Sequence, residues 1–204
     1  MNVLVCCEES QRVCIAFRDK GHNAFSCDLQ MCSGGYPGWH IVCDCLDLIN
    51  GYVSFYTQDG KKHSIDNRWD LIIAHPPCTY LAKSGATLLF NNNHEIIDYD
   101  RLKKGFDAVS FFNHILNADC DKICVENPTP LKIFNLPKHT QVIQPFEFGS
   151  FTTKRTLLWL KNLPYLMPID LCVPVYSYTG KVRNSKDRAK TFPGVAVAMA
   201  EQWG

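Results

Sequence analysis

A cysteine, Cys78, directly follows two prolines at the end of the apolar run WDLIIAH (residues 69–75). Each proline fixes its own φ and restricts the residue before it, so the pair presents the next side chain on a stiff, extended backbone. Such a position suits a thiolate nucleophile held at the edge of a sheet. The alternative is a buried structural thiol. The prolines count against that alternative, because an ordinary buried strand is not expected to end in two residues without an N–H donor.

Acidic residues follow the other strand-like runs of the chain. They are Glu8, Glu9, Asp28, Asp44 and Glu126. Each one alone is also typical of a helix cap or a solvated loop, and that interpretation suits Asp44 best. Because ligands bind beyond the carboxyl ends of parallel strands, the set as a whole predicts a binding site at one edge of a sheet.

The elements that must position these residues alternate between two hydrophobic periodicities. Strands are predicted at residues 2–7, 23–28, 40–44, 69–75 and 122–127, and helices at residues 11–21 and 99–116. Apolar strands separated by helices predict an α/β fold with a mainly parallel sheet and helices on both faces.

Length and composition indicate one globular domain spanning residues 1–204. The chain is 46% hydrophobic and 20% charged, and a formal net charge of +1 gives no overall electrostatic signature for nucleic acid. No run approaches the roughly 18 to 20 apolar residues that span a bilayer, so no membrane partner is expected. The start MNVLVCCEES lacks the basic region of a signal peptide, which predicts a reducing cytoplasmic location.

The chain contains eleven cysteines, a number that raises the question of a metal site. No CxxC pair occurs, and Cys43 and Cys45 lie in an apolar, strand-like context that is typical of small buried side chains. We therefore expect no metal site and interpret most of these thiols as structural.

Two motifs carry a resemblance to a known family. HPPCTYLAKSGA (residues 75–86) resembles the Pro-Pro-Cys catalytic loop of the cytosine-5 DNA methyltransferases, and VENP (residues 125–128), about fifty residues later, resembles their Glu-Asn segment. Weaker matches follow the same order along the chain: FSCDLQ (25–30), VCDCLDL (42–48), FGSFTTKRTLLWL (148–160) and TFPGVAVAMAEQW (191–203). The resemblance covers nearly the whole chain and implies a Rossmann-like methyltransferase sandwich.

The resemblance implies S-adenosylmethionine as cofactor and a covalent mechanism. Carbon 5 of cytosine is a poor nucleophile, so Cys78 would add as a thiolate to carbon 6 and turn the ring into an enamine. Glu126 would hold the base and stabilise the activated ring. Arg155 or Lys154 would supply positive charge. The choice stays open, because the family has two arginines at alternate positions and this chain has lysine and arginine side by side.

The resemblance also implies the residues that bind the cofactor. Asp28 would accept hydrogen bonds from the ribose hydroxyls and Asp44 would lie on the adenine side, while Pro76 and Thr191 complete the set. The first loop, CCEESQ (residues 6–11), lacks the glycines that the family carries around the methionine end.

In the absence of those glycines, Glu8 or Glu9 would pair with the cofactor's ammonium group, with a solvated loop as the alternative.

A short irregular insert is predicted at residues 161–190, where DNA-reading members of the family carry a recognition domain. It ends in a basic run, which would lie on phosphates or in a solvated loop. The run consists of Lys181, Arg183, Lys186, Arg188 and Lys190. Residues 51–68 are a further candidate contact surface, and they are also consistent with an ordinary hairpin.

Three hypotheses follow. The first is a minimal cytosine-5 methyltransferase that acts on DNA by flipping the base out of the stack. The second keeps this chemistry but takes a free cytosine nucleotide. The third is a nucleotide-binding or nucleic-acid-binding protein that has kept the fold and lost catalysis. The retained Cys78 and Glu126 favour the first two, and we adopt the first.

Overall fold

A computed structural model describes residues 1–178 and 184–204, except for the side chains of residues 185 and 186. Lys181 and Arg183 of the basic run lie outside the described residues. The strands are β1 Asn2–Cys6, β2 Asn23–Asp28, β3 His40–Val42, β4 Val53–Tyr56, β5 Lys62–Ile65, β6 Leu71–Ala74, β7 Ile123–Asn127, β8 Gln141–Ile143, β9 Thr152–Thr153, β10 Thr156–Lys161 and β11 Tyr176–Ser177. The α-helices are α1 Arg12–Asp19, α2 Tyr99–Leu116, α3 Ser185–Ala189 and α4 Pro193–Trp203.

Seven strands form the central sheet in the order β3-β2-β1-β6-β7-β10-β8. The pairs from β3 to β7 are parallel, and β10 is antiparallel to both of its neighbours. The strand order reverses between β1 and β6, where Cys6 is in register with Ala74. This arrangement creates a crevice at the carboxyl ends of these two strands, which is where ligands bind in open α/β sheets.

Both faces of the sheet are covered. Alternate residues of β1 point to opposite faces, so Val3 and Val5 pack with α1 and α4, whereas Leu4 packs with α2. Phe17 of α1 and Phe112 of α2 are fully buried on the two faces, and each contributes about 1.5 to 3 kcal/mol by leaving water. The predicted Rossmann-like α/β sandwich with helices on both faces is confirmed.

The predicted strands match the structure closely, and three of them end sooner than predicted: those predicted at residues 2–7, 40–44 and 69–75. The first ends at Cys6 because Cys7 has a φ of 58°, a left-handed conformation that cannot continue a strand. The strand predicted at residues 69–75 is β6, and it stops at Ala74, just before His75 and the prolines. Residues 51–68 contain the antiparallel pair β4 and β5. No helix in residues 1–178 and 184–204 has the length and apolar character needed to cross a membrane.

Candidate active site

The loop after β6 presents Cys78 at the reversal of strand order. Pro76 is buried, and its carbonyl accepts a hydrogen bond of 3.2 Å from Nδ2 of the buried Asn127. The Cys78 carbonyl accepts the N–H groups of Leu81 and Ala82 at 3.1 and 2.9 Å, which turns the chain back towards the sheet. The two motifs singled out in the sequence are thus joined by a direct contact, in which Asn127 holds the proline pair.

Helix α2 fixes the other side of this loop. The guanidinium of Arg101 donates a hydrogen bond to the carbonyl of Thr79 and lies 5.2 Å from the ring centre of Tyr80. Asp98 caps the start of α2 by accepting the Arg101 N–H at 2.8 Å. The Cys78 loop is therefore attached to the first turn of α2 through Arg101.

Glu126, in β7, is paired with a histidine that the sequence motifs did not single out. The Nδ1 atom of His75 lies 2.8 Å from Oε2 of Glu126, and their side chains are 9% and 13% exposed. Burial raises the pKa of the Glu126 carboxyl, but the hydrogen bond and charge of His75 oppose this effect and bring the pKa below its usual value. Burial likewise opposes the charged form of His75, yet its bond to Glu126 raises its pKa overall.

The structure distinguishes the two candidate cations. Arg155 is exposed to solvent, whereas Lys154 is half-buried and lines the same small cavity as Glu126 and Thr191. The positive charge of Lys154 lowers the pKa of both Cys78 and Glu126, although neither effect is the largest acting on these groups. The geometry therefore supports Lys154 as the cation next to the reacting groups.

The thiol of Cys78 is not activated in the free protein. Burial is the largest influence and raises its pKa above the usual value, with Lys154 acting in the opposite direction. A thiol becomes a nucleophile only as the thiolate, so reaction requires further positive charge or a bound substrate that stabilises the anion.

Glu8 serves as a cap for α1. Its Oε1 accepts the Val13 N–H at 2.7 Å and its Oε2 accepts the Cys14 N–H at 3.2 Å, and the side chain is buried. Oε2 of Glu9 is also buried but has no hydrogen-bond partner within the described residues. Of the two carboxylates predicted to pair with the cofactor's ammonium group, Glu9 is thus the one that has an oxygen atom without a hydrogen-bond donor.

A cavity of about 310 Å³ lies on the α2 side of the crevice. Its lining combines strand ends with the Cys78 loop and α2, and consists of Cys7, Cys27, Asp28, Leu29, Cys43, Asp44, Cys45, Pro77, Tyr80, Asp107, Ala108 and Phe111. Asp28 and Asp44 are therefore brought together as predicted from their positions after β2 and β3. Each also holds a local turn, since Asp28 accepts the Gln30 N–H and Asp44 accepts the Leu46 N–H.

Thr191 and Pro76 do not line this cavity. Thr191 is buried on the Glu126 side, where its Oγ1 lies 3.5 Å from Nδ1 of His75 and its carbonyl accepts a hydrogen bond from Arg12. The space beside Glu126 measures only about 10 Å³, roughly the room of one water molecule. Lys154 lines this space, and its Nζ donates to the carbonyl of Arg188 in α3 at 2.8 Å.

Four cysteines line the large cavity: Cys7, Cys27, Cys43 and Cys45. Sγ of Cys27 lies 3.8 Å from Sγ of Cys43. No group of three or more potential metal ligands of the His, Cys, Asp and Glu types occurs among residues 1–178 and 184–204.

His75 has one signal in the sequence, because it directly precedes the two prolines. Its partner Glu126 lies 51 positions away, so no linear motif joins the two residues.

The chain matches no protein-family model, and no curated relative shows significant similarity to it. Among solved structures, it is similar to a chain from E. coli described provisionally as a DNA modification methyltransferase encoded within a prophage. The two are 14% identical with a TM-score of 0.49, over 86% of this chain and 53% of the other. This chain thus spans about half the length of the structure that it matches. Similarity at this level assigns no activity to this chain.

Proposed function

We propose that this protein transfers a methyl group from S-adenosylmethionine to carbon 5 of cytosine in DNA through a covalent bond to Cys78. The observation that carries the proposal is that two spaces adjoin the Cys78 loop where the strand order reverses: the small space beside Glu126 and the larger cavity beside α2. Glu126 and Lys154 lie on one side of the Cys78 loop, and the 310 Å³ cavity lies on the other, with Pro77 and Tyr80 of the loop in its wall. A thiol presented between a candidate base-holding acid and a cofactor-sized cavity suits transfer between two bound molecules.

The cavity has features that fit the proposed cofactor. Leu29 and Phe111 offer apolar surface to an adenine ring, and the carboxylates of Asp28 and Asp44 can accept hydrogen bonds from hydroxyl and amino groups. Glu9 does not line this cavity, and its unpartnered, buried Oε2 could pair with an ammonium group only after a local rearrangement exposed it. Bound there, S-adenosylmethionine would supply an electrophilic methyl group.

The chain's own residues would perform the activation of the base. Cys78 attacks carbon 6 as a thiolate, and Lys154 favours the anionic form of this thiol. Glu126 binds the edge of the base that carries the ring nitrogen and the amino group, and it donates the proton that the ring nitrogen takes up. Asn127 keeps the loop in place through Pro76 during the attack.

Entry of the base requires a local opening. A cytosine ring cannot enter about 10 Å³, so the contact between Lys154 and the carbonyl of Arg188 must separate when the substrate binds. Cationic side chains flank the loop: Lys83 is exposed, and Nζ of Lys104 lies 5.7 Å from the ring centre of Tyr80. These charges support a polyanionic substrate, in which a flipped base reaches the site from single-stranded or distorted DNA.

The test is a trapping experiment with DNA that contains 5-fluorocytosine, with 5-fluoro-dCMP as the nucleotide alternative. Fluorine at carbon 5 cannot leave as a proton does, so the bond between sulfur and carbon 6 persists after methyl transfer. Mass spectrometry should find the adduct on the peptide that contains Cys78. The variant Cys78→Ser should form none, because a hydroxyl is a far weaker nucleophile near neutral pH. Cys172→Ser, at a half-buried thiol on another loop, is the matched control and should react normally.

The substrates separate the hypotheses. An adduct with the DNA and none with the nucleotide supports the proposal, and the reverse result transfers the chemistry to the free nucleotide. If calorimetry shows binding of S-adenosylmethionine and neither substrate gives an adduct, the protein is a binding protein with this fold and the proposal is wrong.

A further inference from the structure

The pair formed by His75 and Glu126 joins two neighbouring parallel strands at the reacting edge of the sheet. β6 and β7 are in register at Ala74 and Val125, so the next residue of each strand lies side by side. The distance of 2.8 Å between Nδ1 and Oε2 is that of a charge-assisted hydrogen bond, and both side chains are largely shielded from water. Only Oε2 of Glu126 takes part, so Oε1 is left for a substrate.

The environment of His75 is asymmetric. Its Nε2 atom is buried and has no hydrogen-bond partner among the described residues. The imidazolium is therefore stabilised by a hydrogen bond only on its Nδ1 side. When the proton of Nδ1 moves to Oε2, no hydrogen bond at Nε2 has to break, and the ring loses a charge that burial disfavours. The pair is suited to passing a proton rather than to forming a permanent ion pair.

The charges around His75 come from several elements. Glu126 in β7 and Glu8 after β1 favour the imidazolium, whereas Lys154 between β9 and β10 opposes it. Thr191, before α4, brings its hydroxyl to 3.5 Å from Nδ1. The charge of the Arg12 guanidinium in α1 acts to lower the pKa of Glu8. The pKa of His75 is raised and that of Glu126 is lowered, so of the two groups His75 keeps a shared proton more readily.

We infer that His75 is the proton reservoir for activation of the base: through Nδ1 it supplies Glu126 with the proton that Glu126 places on the ring nitrogen of cytosine. The inference rests on the proposed function. In the addition step the bond between sulfur and carbon 6 forms, the π pair of carbons 5 and 6 shifts towards carbon 4, and the pair between carbon 4 and the ring nitrogen moves onto that nitrogen. The proton of His75 first passes from Nδ1 to Oε2, and the neutral carboxyl of Glu126 then turns and delivers it to the ring nitrogen, which leaves Glu126 as the carboxylate and His75 neutral. The proton of the Cys78 thiol leaves to solvent before the attack. Elimination reverses these transfers. His75 is a positioning residue, because it acts through Glu126.

The test variant is His75→Asn, whose amide nitrogen can occupy the position of Nδ1 and donate to Glu126 without releasing a proton. The rate of adduct formation on 5-fluorocytosine DNA is measured from pH 5.5 to 9. At pH 8 we expect a fall of about 100-fold, the low end of what general acid catalysis contributes. The deficit should shrink as the pH falls, because Glu126 alone then retains a proton from solvent. His114→Asn, at an exposed histidine near the end of α2, is the control and should match the wild type.

Each outcome is decisive. An unchanged rate and pH profile would overturn the inference, and so would an equal deficit at every pH, which a merely structural role would produce. A wild-type protein that forms no adduct with either substrate instead overturns the proposed function itself. If His75→Asn does not fold, the wild type supplies a second measurement. The basic limb of its adduct rate must coincide with the titration of the His75 ring followed by ¹⁵N NMR, and a mismatch refutes the proton role.

Discussion

Replacing Glu8 by glutamine should change how the stability of this protein depends on pH. Glu8 is buried, and its carboxylate bonds to the N–H groups of Val13 and Cys14 at the start of α1. Burial is the largest influence and raises its pKa from 4.5 to about 7, although the positive charge of His75 and the two N–H groups favour the ionised form. A buried acid of this kind costs free energy whenever it must ionise.

The magnitude follows from the pKa. The folded protein holds the Glu8 proton up to about pH 7, whereas the unfolded chain releases it near pH 4.5. The folded state therefore binds more protons within that interval, and its stability falls as the pH rises through it. The full loss is about 3 kcal/mol, of which most lies between pH 5 and pH 8. Glutamine does not ionise, so the variant should lack this loss. The glutamine side chain offers one acceptor to two N–H groups, so the substitution should lower the free energy of unfolding by about 1 to 2 kcal/mol at pH 5.

Urea unfolding at pH 5, 6, 7 and 8 measures both effects. Relative to the wild type, Glu8→Gln should be less stable at pH 5 and equal or more stable at pH 8, a relative change of about 2 to 3 kcal/mol. Glu201→Gln, at a side chain that is 43% exposed, is the matched control and should follow the wild-type pH dependence. Parallel curves for Glu8→Gln and the wild type would show that the Glu8 carboxyl is ionised at no cost, and the reasoning from burial would be wrong.

Three further predictions concern the site and its support. Asp28→Ala should weaken binding of S-adenosylmethionine by about 10- to 100-fold in calorimetry, because a carboxylate that accepts from a hydroxyl contributes roughly 1.5 to 3 kcal/mol; unchanged affinity would remove Asp28 from the cofactor site. Lys154→Met should slow adduct formation at least about 10-fold. Arg155→Met, at an exposed side chain, should change the rate less than about 3-fold, and equal effects of the two substitutions would contradict the assignment of the cation. Gly105→Ala should lower the free energy of unfolding by about 1 to 3 kcal/mol, because the added Cβ would lie 2.1 Å from the ring of Phe134. An unaltered urea midpoint would show that the ring can move aside.

Much of the fold could be predicted because its signals are local. A strand that is buried on both faces is apolar at every position, as β6 is, and α2 begins at Tyr99 and ends at Leu116 as its periodicity predicts. The left-handed conformations at Cys7 and Gln11 could not be predicted, since the loop contains no glycine to indicate them. Those conformations are maintained by contacts from distant parts of the chain. Gln11, for example, exchanges two hydrogen bonds with the backbone of Tyr36.

The site shows the same division. Residue type and spacing were enough to predict Cys78 and Glu126 as a candidate pair, because the prolines and the Glu-Asn segment are each continuous in sequence. Only the tertiary structure brought His75 to Oε2 of Glu126, across 51 positions of the chain. It also favoured Lys154 over Arg155, since adjacent residues point in opposite directions and burial alone tells which one meets the site. Electrostatic effects depend on distance and on exclusion of water, and both are properties of the folded chain.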